Sequence, residues 1–161
     1  MIIVLMGVTG SGKSTVGELL ARQLDWRLFD GDDFHPPANI EKLRRGVALD
    51  DKDRDPWLRA IRECITAIID RRDNAVIACS ALKHSYRRIL HVSDEVVFVY
   101  LKADMALVRK RLKKRSGHFM NPDLLQSQFD TLEKPDNALA VDASLPPAEI
   151  VRQIRDQLGL S

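Results

Sequence analysis

Gly7-Val8-Thr9-Gly10-Ser11-Gly12-Lys13-Ser14 matches G-x-x-x-x-G-K-[ST] at every position. The glycines let the backbone curl so that successive N–H groups face an anion. A helix opening at Lys13 adds its positive N-terminal end. Gly7, Val8, Thr9, Gly10, Ser11, Gly12, Lys13, Ser14 and Thr15 thus form a cradle for nucleotide phosphates. In it Lys13 reaches the β- and γ-phosphates, Ser14 ligates Mg²⁺ and Thr15 contacts the α-phosphate. The cradle alone is shared by kinases, ATPases and GTP-dependent switches.

Phe29-Asp30-Gly31-Asp32-Asp33 follows a second apolar run. Strand ends on this rim of a parallel sheet face the phosphate loop. One carboxylate there holds a water on Mg²⁺, and another two residues on accepts a proton from an attacking hydroxyl. Asp30 is assigned to the metal and Asp32 to the hydroxyl. The plain alternative is a solvated acidic turn, and Asp33 fits it best.

The elements that must position these groups alternate between apolar runs and helical periodicity, as in a parallel α/β sheet. Strands are expected at 2–6, 26–30, 75–81, 96–101 and 139–142. Helices are expected at 13–24, 36–45, 56–72, 84–91, 104–115, 122–132 and 147–158. Pro56 is read as standing near the start of the clearest helix, which carries Trp57, Leu58, Ile61, Cys64, Ile65, Ile68 and Ile69 on one stripe. Trp57 is read as core. The 161 residues suit a single domain over 1–161, and no linker or repeat divides them.

A net charge of +2 is too small to argue for nucleic acid, so no nucleic-acid partner is expected. The first apolar run, Ile2 to Met6, is too short for a signal peptide or a membrane span, so no membrane partner is expected either. Cys64 and Cys79 each fall on an apolar stripe and read as buried thiols, consistent with a reducing, cytoplasmic location.

Longer blocks carry a resemblance. Asp30-Gly31-Asp32-Asp33-Phe34-His35-Pro36, then Asn39 and Lys42, then Asp53-Arg54-Asp55-Pro56-Trp57-Leu58 are similar to the gluconokinase family. So are Cys79-Ser80-Ala81-Leu82-Lys83 with Tyr86-Arg87, Gly117-His118-Phe119-Met120, Ser127-Gln128-Phe129 and Leu132-Glu133-Lys134-Pro135. The resemblance runs in order along nearly the whole chain. Thr9, Leu43 and Val47-Ala48-Leu49 depart from it without removing an obvious chemical group. It implies a three-layer α/β P-loop kinase fold, a five-stranded parallel sheet with helices on both faces and a mobile lid, like shikimate and nucleoside monophosphate kinases. It further implies ATP with Mg²⁺, phosphorylation of D-gluconate at its 6-hydroxyl, and a homodimer. The substrate-binding region would span roughly 32–58 and the lid roughly 111–130.

A polyhydroxy acid needs cations for its carboxylate, neutral groups for its hydroxyls and one base. His35, Asn39, Lys42, Arg54, Ser80, Lys83 and Arg87 supply them beside Asp32. Arg54 and Arg87 are first choices for the carboxylate, because a guanidinium fork binds it bidentately. Arg54 could instead pair only with Asp53 or Asp55 at the entry to its helix. His35 and Asn39 suit hydroxyls. Arg109 to Arg115 form a basic helix, mostly a solvated face, with Gly117 after it. By resemblance, Arg111 and Arg115 close over the transferred charge or the adenine, and His118 touches substrate. By fold analogy the segment Asp142–Pro146 skirts the adenine.

Two rivals remain at this stage. Another small-metabolite kinase of the same fold, shikimate-like or nucleotide-directed, would lack the His35, Asn39 and Lys42 block. A GTP switch needs [NT]-K-x-D, and Leu101-Lys102-Ala103-Asp104 lacks the polar first residue.

Overall fold

The computed structural model describes residues 1–114 and 121–161. Five parallel strands form one sheet in the order β2-β3-β1-β4-β5. They are β1 (Ile2–Met6), β2 (Arg27–Asp30), β3 (Ala75–Ala78), β4 (Val96–Lys102) and β5 (Leu139–Asp142). Between and after them run α1 (Lys13–Leu24), α2 (Pro37–Arg44), α3 (Asp51–Asp70), α4 (His84–Leu90), α5 (Met105–Lys114), α6 (Pro122–Thr131) and α7 (Pro147–Leu158). The α/β P-loop kinase fold expected from the sequence is the fold observed.

The layers follow from the strand period of two. Along β1, Ile2, Val4 and Met6 pack with Trp57, Leu58, Ile61, Ile65 and Ile68 of α3 on one face. Ile3 and Leu5 pack with Val16 and Leu20 of α1 and Ile150, Val151 and Ile154 of α7 on the other. A smaller cluster of Val8, Leu82, Val108 and Leu125 lies where α5 and α6 approach the phosphate loop.

Register then sets the site. Leu5 pairs with Ala78, and Ala78 pairs with Asp30, so three strand ends finish level. After β3 the chain moves across β1 to β4, and loops at such a switch point form a crevice.

Two boundaries differ from those expected by more than two residues, and one short element is added. The long helix begins at Asp51, five residues before Pro56, because Asp50 and Asp53 form a reciprocal capping box. Pro56 lacks only the N–H that would have bonded the Lys52 carbonyl. Arg54 therefore lies inside α3 and not ahead of it. The third strand ends at Ala78, and Ala81 beyond it has a left-handed φ of 44°. Gly31–Phe34 forms a short 3₁₀ turn for which sequence periodicity offers no signal.

Candidate functional site

A cleft of about 240 Å³ opens at the level strand ends. The phosphate loop contributes Thr9, Gly10, Gly12, Lys13 and Ser14 to its floor. Gly12 stands immediately before α1 with φ 103°, a conformation that side-chain-bearing residues avoid. It offers no side-chain cap, and the first turn carries no acidic residue. The leading N–H groups of α1 are thereby left for an anion. The Lys13 ammonium arches back over the loop and donates to the Gly7 and Val8 carbonyls, each at 2.9 Å. These features fit a bound nucleotide triphosphate.

Asp30 and Asp32 line the cleft opposite this loop. The Asp30 carboxylate accepts from the Asp32 backbone N–H at 3.0 Å and so shapes the 3₁₀ turn. Asp32 keeps solvent contact at the cleft mouth, yet the surrounding walls strip part of its hydration. That desolvation is the main cause holding its carboxyl above its ordinary 3.8. The Asp30 charge adds to the rise, and Lys13 opposes it. Ser14, Asp30 and Asp32 present only oxygen donors, which suits Mg²⁺. Among the described residues no group of three or more His, Cys, Asp or Glu side chains forms a metal cage. A Mg²⁺ ion would then be held by Ser14 and Asp30 together with nucleotide oxygens.

The third wall comes from α3 and its neighbours. Arg54, 8% exposed, lines the cleft and donates to the Tyr86 hydroxyl at 3.1 Å. Tyr86 in turn donates to Asp51 at 2.5 Å. Trp57, expected as core, is buried and also lines the cleft. Its indole N–H donates to the Gly31 carbonyl at 2.7 Å, and its ring stacks on His35 at 4.4 Å between centroids. Ser80 completes this side, and Gly7 N–H donates to its carbonyl at 3.2 Å.

Other expected residues lie elsewhere. Lys42 does not line the cleft and pairs with Asp53 at 2.7 Å. Lys83 does not line it either and pairs with Asp51 at 2.9 Å. Asn39 is buried behind His35. Arg87 is turned away from the cleft. It donates to the carbonyls of Ala81 at 2.6 Å, Leu82 at 3.1 Å and Glu133 at 2.7 Å. It pins the segment after β3 to the one after α6, so its fork is already occupied. Arg111 donates to the Ser11 carbonyl at 2.9 Å, the Gly10 carbonyl at 3.3 Å and the Ala143 carbonyl. It therefore ties α5 to the phosphate loop and to the segment after β5. Arg115 and His118 lie outside the described residues.

Sequence reasoning placed most of α6 within a lid at roughly 111–130 but named none of its residues as a contact; Leu124, Ser127 and Gln128 line the cleft. Gln128 accepts from the Thr9 N–H at 3.2 Å. Leu43, Ala48 and Leu49 form its apolar rim. The block Ser127-Gln128-Phe129 was visible as a motif, but only the packing of α6 over the loop shows which atom it touches.

Known proteins fit this geometry. The shikimate kinase family model matches residues 9–158. The thermoresistant gluconokinase of Escherichia coli K12 is 43% identical over 155 residues, spanning 93% of this chain and 89% of that protein. A solved gluconokinase from Sinorhizobium meliloti 1021 aligns with a TM-score of 0.88 at 44% identity, covering 98% of this chain and 90% of that one. A solved sugar kinase from Janibacter sp. HTCC2649 aligns with a TM-score of 0.92 at 38% identity, covering 99% and 95%.

Proposed function

The chain belongs to the gluconokinases, within the family that the shikimate kinase model describes, and from this premise we propose that it transfers the terminal phosphoryl group of ATP to the 6-hydroxyl of D-gluconate. The products are 6-phospho-D-gluconate and ADP. The observation that carries the reading is the meeting of three groups in one cleft: a phosphate loop, an acid pair and a buried arginine.

Each group has a task in phosphoryl transfer. The loop N–H groups and Lys13 hold the phosphates and balance the charge that spreads over the moving group. Asp32 orients the 6-hydroxyl and accepts its proton as the new P–O bond forms. Arg54 is the cation inside the cleft best placed for the substrate carboxylate. Burial and its hydrogen bond to Tyr86 hold the guanidinium in one pose. Mg²⁺, when bound at Ser14 and Asp30, supplies charge neutralisation to the nucleotide phosphates.

Lys42, Asn39, Lys83 and Arg87 are better read as supports for this wall than as substrate contacts. The finer reading is of one domain with a substrate region at roughly 32–58 and a mobile lid at roughly 111–130. Arg111 and Arg115 belong to the nucleotide side of that lid, and His118 to its substrate side. The enzyme is read as a cytoplasmic homodimer, where ATP and free thiols such as Cys64 and Cys79 coexist.

The test is a coupled ADP-release assay over gluconate, other aldonates, shikimate and nucleoside monophosphates, with and without a Mg²⁺ chelator. Gluconate is expected to give Mg²⁺-dependent release well above the rest. Release no greater than buffer would overturn the substrate, and light scattering at the mass of one chain would overturn the dimer.

A further inference from the structure

One buried amide stands behind the substrate wall and does not itself line the cleft. Asn39 is 2% exposed on α2. Its side-chain nitrogen donates to the Asp53 carbonyl at 2.8 Å. A carbonyl only accepts, so this bond fixes which end of the Asn39 amide is the nitrogen. The same nitrogen lies 3.2 Å from Nδ1 of His35. Its second hydrogen must point there.

That hydrogen restricts the imidazole. A ring with a proton on Nδ1 would set hydrogen against hydrogen. This excludes the neutral Nδ1–H form and the imidazolium alike. Only the neutral ring protonated on Nε2 accepts from Asn39. The surroundings agree, since burial keeps the His35 pKa below its ordinary 6.5. The nearby Asp32 charge opposes that shift, and Arg54 reinforces it. Stacking on Trp57 at 4.4 Å, with 12° between ring planes, holds the ring against rotation. His35 lines the cleft, and its Nε2 has no protein partner among the described residues.

We propose that Asn39 is a positioning residue that locks His35 as a neutral Nε2–H donor, so that His35 recognises a substrate oxygen only by giving it a hydrogen bond. The substrate half of this statement rests on the gluconate reading above. The locked tautomer does not, because it belongs to the free protein. A donor-only imidazole beside the donor Arg54 favours the oxygen-rich, acceptor-bearing end of a polyhydroxy acid.

The first measurement is the nitrogen-15 NMR signature of His35 in the unliganded protein at neutral pH. A protonated Nε2 with an unprotonated Nδ1 is expected, and a protonated Nδ1 overturns the proposal. The second is Asn39→Asp, whose carboxylate accepts from Nδ1–H and so reverses the tautomer. The KM for gluconate is expected to rise about tenfold, the loss of one good hydrogen bond, while the KM for ATP stays in place. An unaltered tautomer with an unaltered gluconate KM overturns the role of Asn39.

If Asn39→Asp does not fold, His35→Gln and His35→Leu provide the comparison. The glutamine amide can return a donor near Nε2, so its gluconate KM should fall several-fold below that of the leucine variant. Equal values overturn the donor role. A wild-type protein with the expected tautomer but no gluconate turnover would instead overturn the substrate alone.

Discussion

At the scale of single residues, the decisive contrast is between Asp30 and Asp32. Both line the cleft, but the Asp30 carboxylate caps the turn, while Asp32 is the carboxylate proposed to take the proton of the acceptor hydroxyl. Desolvation raises the Asp32 pKa above 3.8, which makes it a stronger base once ionised. Its base form is lost as pH falls, so the acid limb of kcat/KM should lie above 3.8. Asp32→Asn should lower kcat by about a hundredfold or more while ATP binding is kept, as equilibrium titration can show. Unchanged turnover would remove Asp32 from this role. The linkage to folding has the opposite sign. A raised folded pKa means that the contribution of Asp32 to folding is complete below 3.8 and is lost as pH rises through the raised value. At neutral pH Asp32→Asn should therefore melt no lower than wild type, in line with a catalytic group held at some cost to stability. Cys79, by contrast, is chemically silent: burial pushes its thiol up to about 12.

At the scale of elements, two short segments aim the chemistry. A Cβ added to Gly31 would stand 2.6 Å from the Ala78 carbonyl and 3.2 Å from the Cys79 Cα. Both are backbone atoms of the β3 strand end and cannot swing away. Gly31→Ala should therefore force β2 and β3 apart, costing about 1–3 kcal/mol by overpacking. Because Asp30 and Asp32 flank the site of strain, turnover should fall along with the urea midpoint. A midpoint equal to wild type would refute the close approach. The start of α3 is the second segment. Asp50 accepts from the Asp53 N–H at 2.8 Å, and Asp53 returns the bond at 3.0 Å. Asp50→Ala removes one half of this box and should cost about 1 kcal/mol in a denaturant titration. Asp50 is exposed and does not line the cleft, so the same variant should keep its ATP KM.

At the scale of the whole molecule, the sheet is a rigid platform between two apolar layers, and the site sits on its rim. α3 serves both. Its inner stripe packs the core through Ile61, Ile65 and Ile68, and its first turns carry Arg54 and Trp57 to the cleft. Ile65→Ala should lower stability by about 2–5 kcal/mol, the usual range for a buried isoleucine cut back to alanine. Its kinetic constants below the melting transition should stay near wild type, since Ile65 lies outside the cleft lining. A gluconate KM that moves with stability would show that the platform is softer than this packing implies.

Much of this was legible in the residues themselves. The phosphate loop, the acidic turn and the strand and helix order are written in local spacing, where each residue's role depends on neighbours a few positions away. Two short strands and the last helix even end where the apolar pattern does. The start of α3 was misread because Pro56 is a strong local signal, while the capping box before it uses Asp50 and Asp53 within an acidic run that reads equally as a loop. The cations were beyond local reading. Arg54 and Arg87 look equivalent as sequence, yet their fates are set by partners 32 and 46 residues away, the Tyr86 hydroxyl and the Glu133 carbonyl. Lys42 is decided by Asp53, 11 residues on, and the protonation state of His35 by where the Asp53 carbonyl falls against Asn39. The sequence by itself determined a phosphate loop and an acidic turn, because each is a local run of residues. Only the tertiary structure decided that loop and turn meet and which charges reach the cleft, because packing turns Arg87 onto backbone carbonyls and Lys42 onto Asp53 while it leaves Arg54 at the cleft wall.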